Sequence, residues 1–299
     1  VIDLCCGVGG LSRGFLSAFP EGKIMLAADN FLPACQVMVN WLSKLQDEVV
    51  VEHRDLYRPG VLDKCQGINP SFIIGGTPCP DFSRNGRQKE GSRAEVTLGF
   101  ASMVIECQPF VVIIENVVEI LSSDTYKQAH MMLVTAGYSV LPIKVSGSAA
   151  GLPTSRQRVF ICGISSKLAN GSQILQEVAH RIRSLERAKV TSISDVIGGG
   201  RNQQWWFATM WSKRFKERQR GIRLGSQCAP TIMARHAGSA PEWVRDDRAI
   251  RVPSLHELTL LSGFEEGSQF FNSVRSSPSR TTCAKMLSNA VPPPMAHVV

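Results

Sequence analysis

The chain has 299 residues, 43% of them hydrophobic and 19% charged, with a formal net charge of +8 at pH 7. That length and balance suit one large domain or two modest ones around a sizeable core, and exclude an intrinsically disordered chain. No apolar run approaches the roughly 20 residues that span a bilayer, and no signal peptide is visible, so no membrane partner is expected.

Val1 to Cys5 reads as a buried strand, and Cys6-Gly7-Val8-Gly9-Gly10 as a tight turn into a helix from about Leu11. A glycine-rich turn after the first strand is the nucleotide-binding corner of a doubly wound sheet, because glycine lets a ligand approach the backbone. The run is not G-x-G-x-x-G, and a plain strand–helix turn is the alternative. A second strand, Ile24 to Ala28, ends at Asp29, a place suited to ribose hydroxyls. A helix follows from about Pro33 to Leu45, with Val37, Trp41 and Leu45 expected in the core. After a third strand, Val49 to Val51, Asp55 stands where it can accept from an exocyclic amine. Either Asp alone reads equally well as a turn or cap residue. Three successive strand ends of this kind favour a nucleoside site.

The fourth strand, around Phe72-Ile73-Ile74, leads into Gly75-Gly76-Thr77-Pro78-Cys79-Pro80-Asp81-Phe82-Ser83. Each proline fixes its own φ, and Pro80 pushes Cys79 away from the α region. Loops beyond the carboxyl ends of strands carry the chemistry of α/β folds. Cys79 is therefore a candidate nucleophile, with a small buried core thiol as the alternative. The following stretch, Arg84 to Arg93, is basic and polar, and long for such a connection, which marks a functional loop.

A helix is expected from about Ala94 to Cys107, then a fifth strand, Phe110 to Ile114, closed by Glu115. A carboxylate after four branched or aromatic residues is costly to bury without a partner or a task. Its pKa tends to rise there, which suits a proton donor; a helix cap is the alternative. A helix from about Asp124 to Ala136 and strands at Tyr138 to Val145 and Val159 to Ile164 complete the pattern. Arg156 and Arg158 enter the last strand and are expected to split, one facing the site and the other the sheet surface or an acid.

From residue 166 to about 250 the α/β rhythm is lost. Between Ser166 and Pro230 there are twelve Lys or Arg against four Asp or Glu, so the whole charge excess sits there. Trp205, Trp206 and Trp211 lie among these basic residues, a pattern that suits phosphate contacts and base stacking. A helix from about Ser254 to Leu261 should bury Leu255, Leu258 and Leu261, and the chain closes through Asn289-Ala290-Val291-Pro292. The nine cysteines are odd in number and without C-x-x-C, and the six histidines show no paired spacing. Neither disulfides nor a metal site is expected, and a reducing intracellular setting is favoured. The chain lacks an initiator Met and stops in an apolar run, so it reads as part of a longer one.

Taken together, these motifs resemble the DNA (cytosine-5) methyltransferases, in the family's order and over nearly the whole chain. Asp3-Leu4-Cys5-Cys6-Gly7-Val8-Gly9-Gly10 resembles the cofactor motif, and Pro78-Cys79 the nucleophile motif. Glu115-Asn116-Val117 is similar to the motif whose Glu holds the target cytosine, and Gln157-Arg158-Val159-Phe160 to the one carrying two functional arginines. Arg251, Glu257 and Gly263-Phe264 resemble the motif that organises the recognition domain, and Asn289-Ala290-Val291-Pro292 the last motif. The chain departs from the pattern at Pro80, where Gln is common, at Asp29 for Glu, at Asn30 for an aromatic, and at Ser288 for Gly.

The resemblance implies an α/β, Rossmann-like S-adenosylmethionine-dependent methyltransferase. Its mostly parallel sheet would have seven strands, six parallel and one antiparallel, beside a smaller target-recognition domain. The catalytic domain would span 1–165, completed by 283–299, and the recognition domain 166–282. Catalysis would fall to Cys79, Glu115, Arg158 and Arg156. S-Adenosyl-L-methionine would meet Cys5, Cys6, Gly7, Val8, Gly9, Gly10, Asp29, Asn30, Asp55, Leu56, Pro78, Leu98, Asn289, Ala290 and Val291. Double-stranded DNA would meet Ser83, Arg84, Arg87, Lys213, Arg214, Lys216 and Thr231. The product would be 5-methylcytosine, made on a flipped base through a covalent adduct. A monomer is expected, intracellular and DNA-associated, in a bacterial cytoplasm or nucleoid or a eukaryotic nucleus. The alternatives are an RNA (tRNA) methyltransferase on the same scaffold, though its Cys-Phe-Thr signature is missing, and a catalytically silent relative.

Overall fold

The structure is a computed structural model that describes residues 1–56, 61–78, 94–185, 191–197, 206–208, 222–232, 242–245, 248–264 and 279–299. Through residue 165, strands and helices alternate: β1 (Ile2–Leu4), α1 (Gly10–Ala18), β2 (Leu26–Asp29), α2 (Leu32–Leu42), β3 (Val50–His53), α3 (Val61–Ile68), β4 (Phe72–Gly76), α4 (Ala94–Cys107), β5 (Val111–Asn116), α5 (Asp124–Thr135), β6 (Tyr138–Ser146) and β7 (Gln157–Ser165). The seven strands form one sheet in the order β3-β2-β1-β4-β5-β7-β6. β1 pairs with β2 and β4 in parallel, as do β2 with β3 and β4 with β5, while β7 runs antiparallel to both of its neighbours. This is the expected topology, with six parallel strands and one reversed.

Two features of that order place the site. The chain works outward from β1 to β3, then crosses back to lay β4 on the other side of β1, which makes β1/β4 the switch point where such sheets open a crevice. The reversed β7 then begins where β5 ends, with Phe160 opposite Glu115 and Val159 opposite Asn116. A parallel strand there would begin at the far edge of the sheet.

The central strands are apolar on both faces because both faces are covered. On one, Ile2, Leu4, Ile73, Val112 and Ile114 pack with Phe100 and Val104 of α4 and Leu133 of α5. On the other, Ile74, Phe160 and Ile164 pack with Leu11 of α1, with Leu175 and Ile182 of α6 (Gly171–Leu185), and with Met295 of the last helix, α10 (Pro293–His297).

Beyond α6 come α7 (Ile193–Ile197) and four short strands, β8 (Trp206–Ala208), β9 (Ile222–Leu224), β10 (Glu242–Arg245) and β11 (Arg248–Arg251), in a separate antiparallel sheet ordered β11-β10-β8-β9. α8 (Leu255–Leu261) is started by a capping box between Ser254 and Glu257, and α9 (Arg280–Asn289) follows. Arg251 grips the Glu257 carboxylate with two hydrogen bonds of 2.8 and 2.7 Å, and Arg280 donates to the Pro253 carbonyl. Leu258 and Leu261 are buried as expected. Leu45, expected in the core, is 58% exposed, because α2 stops at Leu42 and position 45 leaves its apolar face. Among the described residues no helix is long and apolar enough to cross a membrane.

Candidate active site

The glycine turn after β1 is built by backbone geometry. Cys5, Gly7 and Gly9 take φ of 55°, 52° and 81°, and Gly9 starts α1 from the left-handed region. A side chain at Gly7 would meet no atom within 4 Å, so this glycine faces open space. Gly10 does the opposite: a Cβ there would lie 1.8 Å from the Val291 carbonyl oxygen. The turn is thus pressed against the end of the chain on one side and left open on the other.

Acids surround that opening. Asp29 accepts from the Gly7 N–H and the Phe31 N–H, each at 2.8 Å, so its first task is to fix the turn. Burial raises the Asp29 pKa, and those two hydrogen bonds work against the rise. Asp3 is fully buried; one oxygen accepts from Ser12 Oγ at 2.5 Å and the other, Oδ1, has no hydrogen-bond partner. Burial pushes the Asp3 carboxyl up to about 7, against the pull of Ser12. Burial first, then the carboxylates of Asp29, Asp3 and Asp55, hold the Cys5 thiol well above its ordinary range. Cys6 is likewise raised, Cys35 to about 11 and Cys162 to about 12, all chiefly by burial. None of these four has the electropositive surroundings that make a reactive thiolate.

Glu115 lies near the end of β5 and is 6% exposed. A Cβ at Gly76, its partner on β4, would sit 3.3 Å from Glu115 Oε2, 3.4 Å from Val291 Cγ2 and 4.0 Å from the Cys5 carbonyl oxygen. Those three groups therefore converge on Gly76, two residues before Pro78. Arg158 Nε lies 2.9 Å from Glu115 Oε1, at ion-pair distance. Burial raises the Glu115 pKa; Arg158 and then Arg156 partly offset it, leaving the carboxyl above its ordinary value.

The arginine pair does not split. Positions two apart on a strand share a face, and both guanidiniums turn towards the Glu115 side. Arg156 is 5% exposed and donates to the carbonyls of Ser288 at 3.0 Å and Ala290 at 2.9 Å. It ties the closing segment of the chain to the start of β7.

Over residues 1–299 the chain matches the model of the C-5 cytosine-specific DNA methylases. The chain belongs to this family. The resemblance carried by the ordered motifs therefore holds. The chain is similar to the Type II methyltransferase M.HgiDI of Herpetosiphon aurantiacus, 36% identical over 178 residues, a stretch covering 59% of this chain and 56% of that protein. It is also similar to M.HindV of Haemophilus influenzae, 26% identical over 304 residues and covering 100% of this chain and 94% of that one. In fold it resembles the S. pombe Dnmt2 methyltransferase (TM-score 0.73, 17% identity, 99% and 95% of the two chains) and Entamoeba histolytica EhMeth (TM-score 0.71, 16% identity, 99% and 95%). At such identities the likeness is one of fold alone.

For this member of the methylase family, the strand ends bring together Cys5, Gly7, Asp29, Glu115, Arg158 and Val291. Val8, Gly9 and Gly10 face the protein instead: Val8 is buried beside Ala290, a Cβ at Gly9 would meet Met38, and Gly10 abuts Val291. Leu56 and Leu98 are half-buried against the main core. Asn30, Asp55 and Asn289 are exposed, and Pro78 is half-buried. Thr231 follows Ala229, whose N–H donates to the Pro153 carbonyl while its own carbonyl accepts from the Ser155 N–H, so this stretch lies next to Arg156. Cys79, Pro80, Ser83, Arg84, Arg87, Lys213, Arg214 and Lys216 lie outside the described residues.

The donor set fits a cationic nucleoside cofactor. Gly7 provides an open cradle, and a fully buried carboxylate oxygen on Asp3 lacks a partner in a region of concentrated negative charge. Asp3 gained no role of its own from the sequence, although an acid inside an apolar strand is a signal in itself. Asn116 was read only as part of a motif, yet its amide donates to the Thr77 carbonyl at 3.2 Å and to Thr77 Oγ1 at 2.9 Å.

Proposed function

We propose that the chain methylates C5 of cytosine in duplex DNA. The supporting observation is the convergence of buried Glu115, Arg158 and the strand end leading to Cys79 beside the open glycine turn. Glu115 and Arg158 offer a protonated carboxyl and a fixed cation to one edge of a planar base. The acids around Gly7 suit the ammonium and sulfonium charges of S-adenosyl-L-methionine, with Cys5, Gly7 and Asp29 holding it at the turn and Val291 closing the pocket. When bound, that cofactor supplies an activated methyl group.

C5 of cytosine is too weak a nucleophile to take a methyl group unaided. The Cys79 thiolate bonds to C6, and the electron pair of the C5–C6 double bond moves to C5, which divides one hard step into two easier ones. Glu115 donates its proton towards N3 and accepts from the amino group at C4, offsetting the charge that builds as the sulfur adds. Arg158 holds the O2 carbonyl and keeps Glu115 oriented. Once C5 carries the methyl group, its proton leaves to a base, the double bond re-forms and Cys79 is released. The base must first leave the stack, at a cost of roughly a few kcal/mol.

The small antiparallel sheet and the basic segment would read the DNA. Leu175 and Ile182 of α6 pack in the core of the large sheet, which supports beginning the recognition segment after α6, at about 186 in place of 166.

Duplex DNA carrying 5-fluorocytosine at the target has fluorine in place of the C5 proton, and fluorine cannot leave as a cation, so the covalent complex should persist through denaturation. Cys79→Ser should abolish it. An adduct that survives this change would remove Cys79 from the mechanism. Labelled methyl groups arriving on tRNA but never on duplex DNA would overturn the assignment of substrate.

A further inference from the structure

We infer that Thr97 is a positioning residue for the nucleophile, an inference that rests on the reading of Cys79 given above. Thr97 lies in the first turn of α4, fully buried, on a face otherwise made of Val96, Phe100, Ala101 and Val104. A buried hydroxyl in such surroundings costs free energy unless it is hydrogen-bonded. In helices a threonine hydroxyl commonly bonds back to its own preceding turn. Thr97 instead donates across to Thr77 Oγ1 at 3.1 Å, twenty residues earlier in the chain.

Thr77, itself buried, is held from a second side. Asn116 Nδ2 donates to Thr77 Oγ1 at 2.9 Å and to the Thr77 carbonyl at 3.2 Å, while Asn116 Oδ1 accepts from the Val117 N–H at 2.8 Å, which fixes the orientation of the amide. Three elements thus meet at one threonine: β4 just before it, the end of β5 through Asn116, and α4 through Thr97. Asn116 is also the neighbour of Glu115.

Between Thr77 and Cys79 stands only Pro78. Its ring fixes its own φ near −65°. The bonded carbonyl of Thr77 fixes the preceding ψ. A single soft dihedral, ψ of Pro78, then separates the anchored threonine from the Cα of Cys79. The Thr77 anchor therefore sets where the nucleophile's backbone starts relative to Glu115. Thr97 opens the helix that follows the segment carrying Cys79, so its bond to Thr77 ties the two sides of that segment together. Misplacing a reacting group by about 1 Å costs on the order of a hundredfold in rate.

Thr97→Val keeps the shape and removes the donor. We expect the first-order rate of adduct formation on 5-fluorocytosine duplex, at saturating DNA and cofactor, to fall about ten- to a hundredfold. KM for DNA and the dissociation constant of S-adenosylhomocysteine should stay within twofold. Thr97→Ser, which restores the hydroxyl, should recover most of the rate. Thr77→Val removes the acceptor and should reproduce the loss, and adding Thr97→Val to it should cost nothing further. An unchanged adduct rate in Thr97→Val, or a loss that Thr97→Ser does not recover, would overturn the inference while leaving the function intact. A parent protein that forms no adduct would overturn both.

Discussion

At the scale of single residues, two buried acids of this sheet are treated differently. Glu115 has two guanidiniums nearby, and they hold back the rise that burial imposes on its pKa. Asp3 is eased by hydrogen bonding from Ser12, with no guanidinium among the groups that shift it, and burial pushes it up to about 7, from an ordinary value of 3.8. The folded protein therefore holds the Asp3 proton more tightly than the unfolded chain. In the unliganded protein this contribution to stability is intact below about pH 4 and is lost as pH rises to about 7, by a few kcal/mol at most. Asp3→Asn should flatten that decline, which melting temperatures at pH 5 and pH 8 without cofactor would reveal. An equal decline in the variant would place its origin elsewhere. The acid itself was legible in the sequence. Its partner was not, because Ser12 reaches it from the following helix.

At the scale of elements, direction mattered more than identity. The spans of α4, α5 and the strands followed from apolar periodicity and turn residues to within a few positions, and α4 runs from Ala94 to Cys107 as the pattern predicts. Periodicity says nothing about which way a strand runs. The reversal of β7 is what carries Arg158 to Glu115 and Arg156 to the closing segment. Arg156 joins residues 132 and 134 positions away, satisfying the carbonyls of Ser288 and Ala290. Arg156→Met would leave both carbonyls without those donors and should cost about 3 kcal/mol in chemical denaturation. Because Val291 abuts Gly10 of the glycine turn, the proposed cofactor site should loosen with the segment, and cofactor affinity measured by calorimetry should fall about tenfold. Unchanged stability would show that the segment is held by its apolar contacts alone.

At the scale of the whole molecule, the two sheets divide the labour proposed here. The large one is closed by both ends of the chain: a Cβ at Gly14 of α1 would strike Ala296 and the backbone of Pro293 and His297 in α10. The charge excess lies between Ser166 and Pro230. Charge removal at Lys213, Arg214 and Lys216 should reduce the slope of log affinity against log salt by about 2–3 for duplex DNA. An unaltered slope would move the DNA path off this segment.

The sequence alone determined the family, the alternating elements of the large sheet, and the glycine, carboxylate and arginine positions at its strand ends. These are local facts, since periodicity, turn chemistry and motif order need no knowledge of distant residues. Only the tertiary structure decided which groups meet. The switch point brings the glycine turn beside Gly76, the reversed β7 sets Arg158 on Glu115, and the returning chain end gives Gly10 and Arg156 their partners. Each of these contacts joins segments far apart in the chain, and burial there raises the carboxyl pKa of Glu115, which no local pattern encodes.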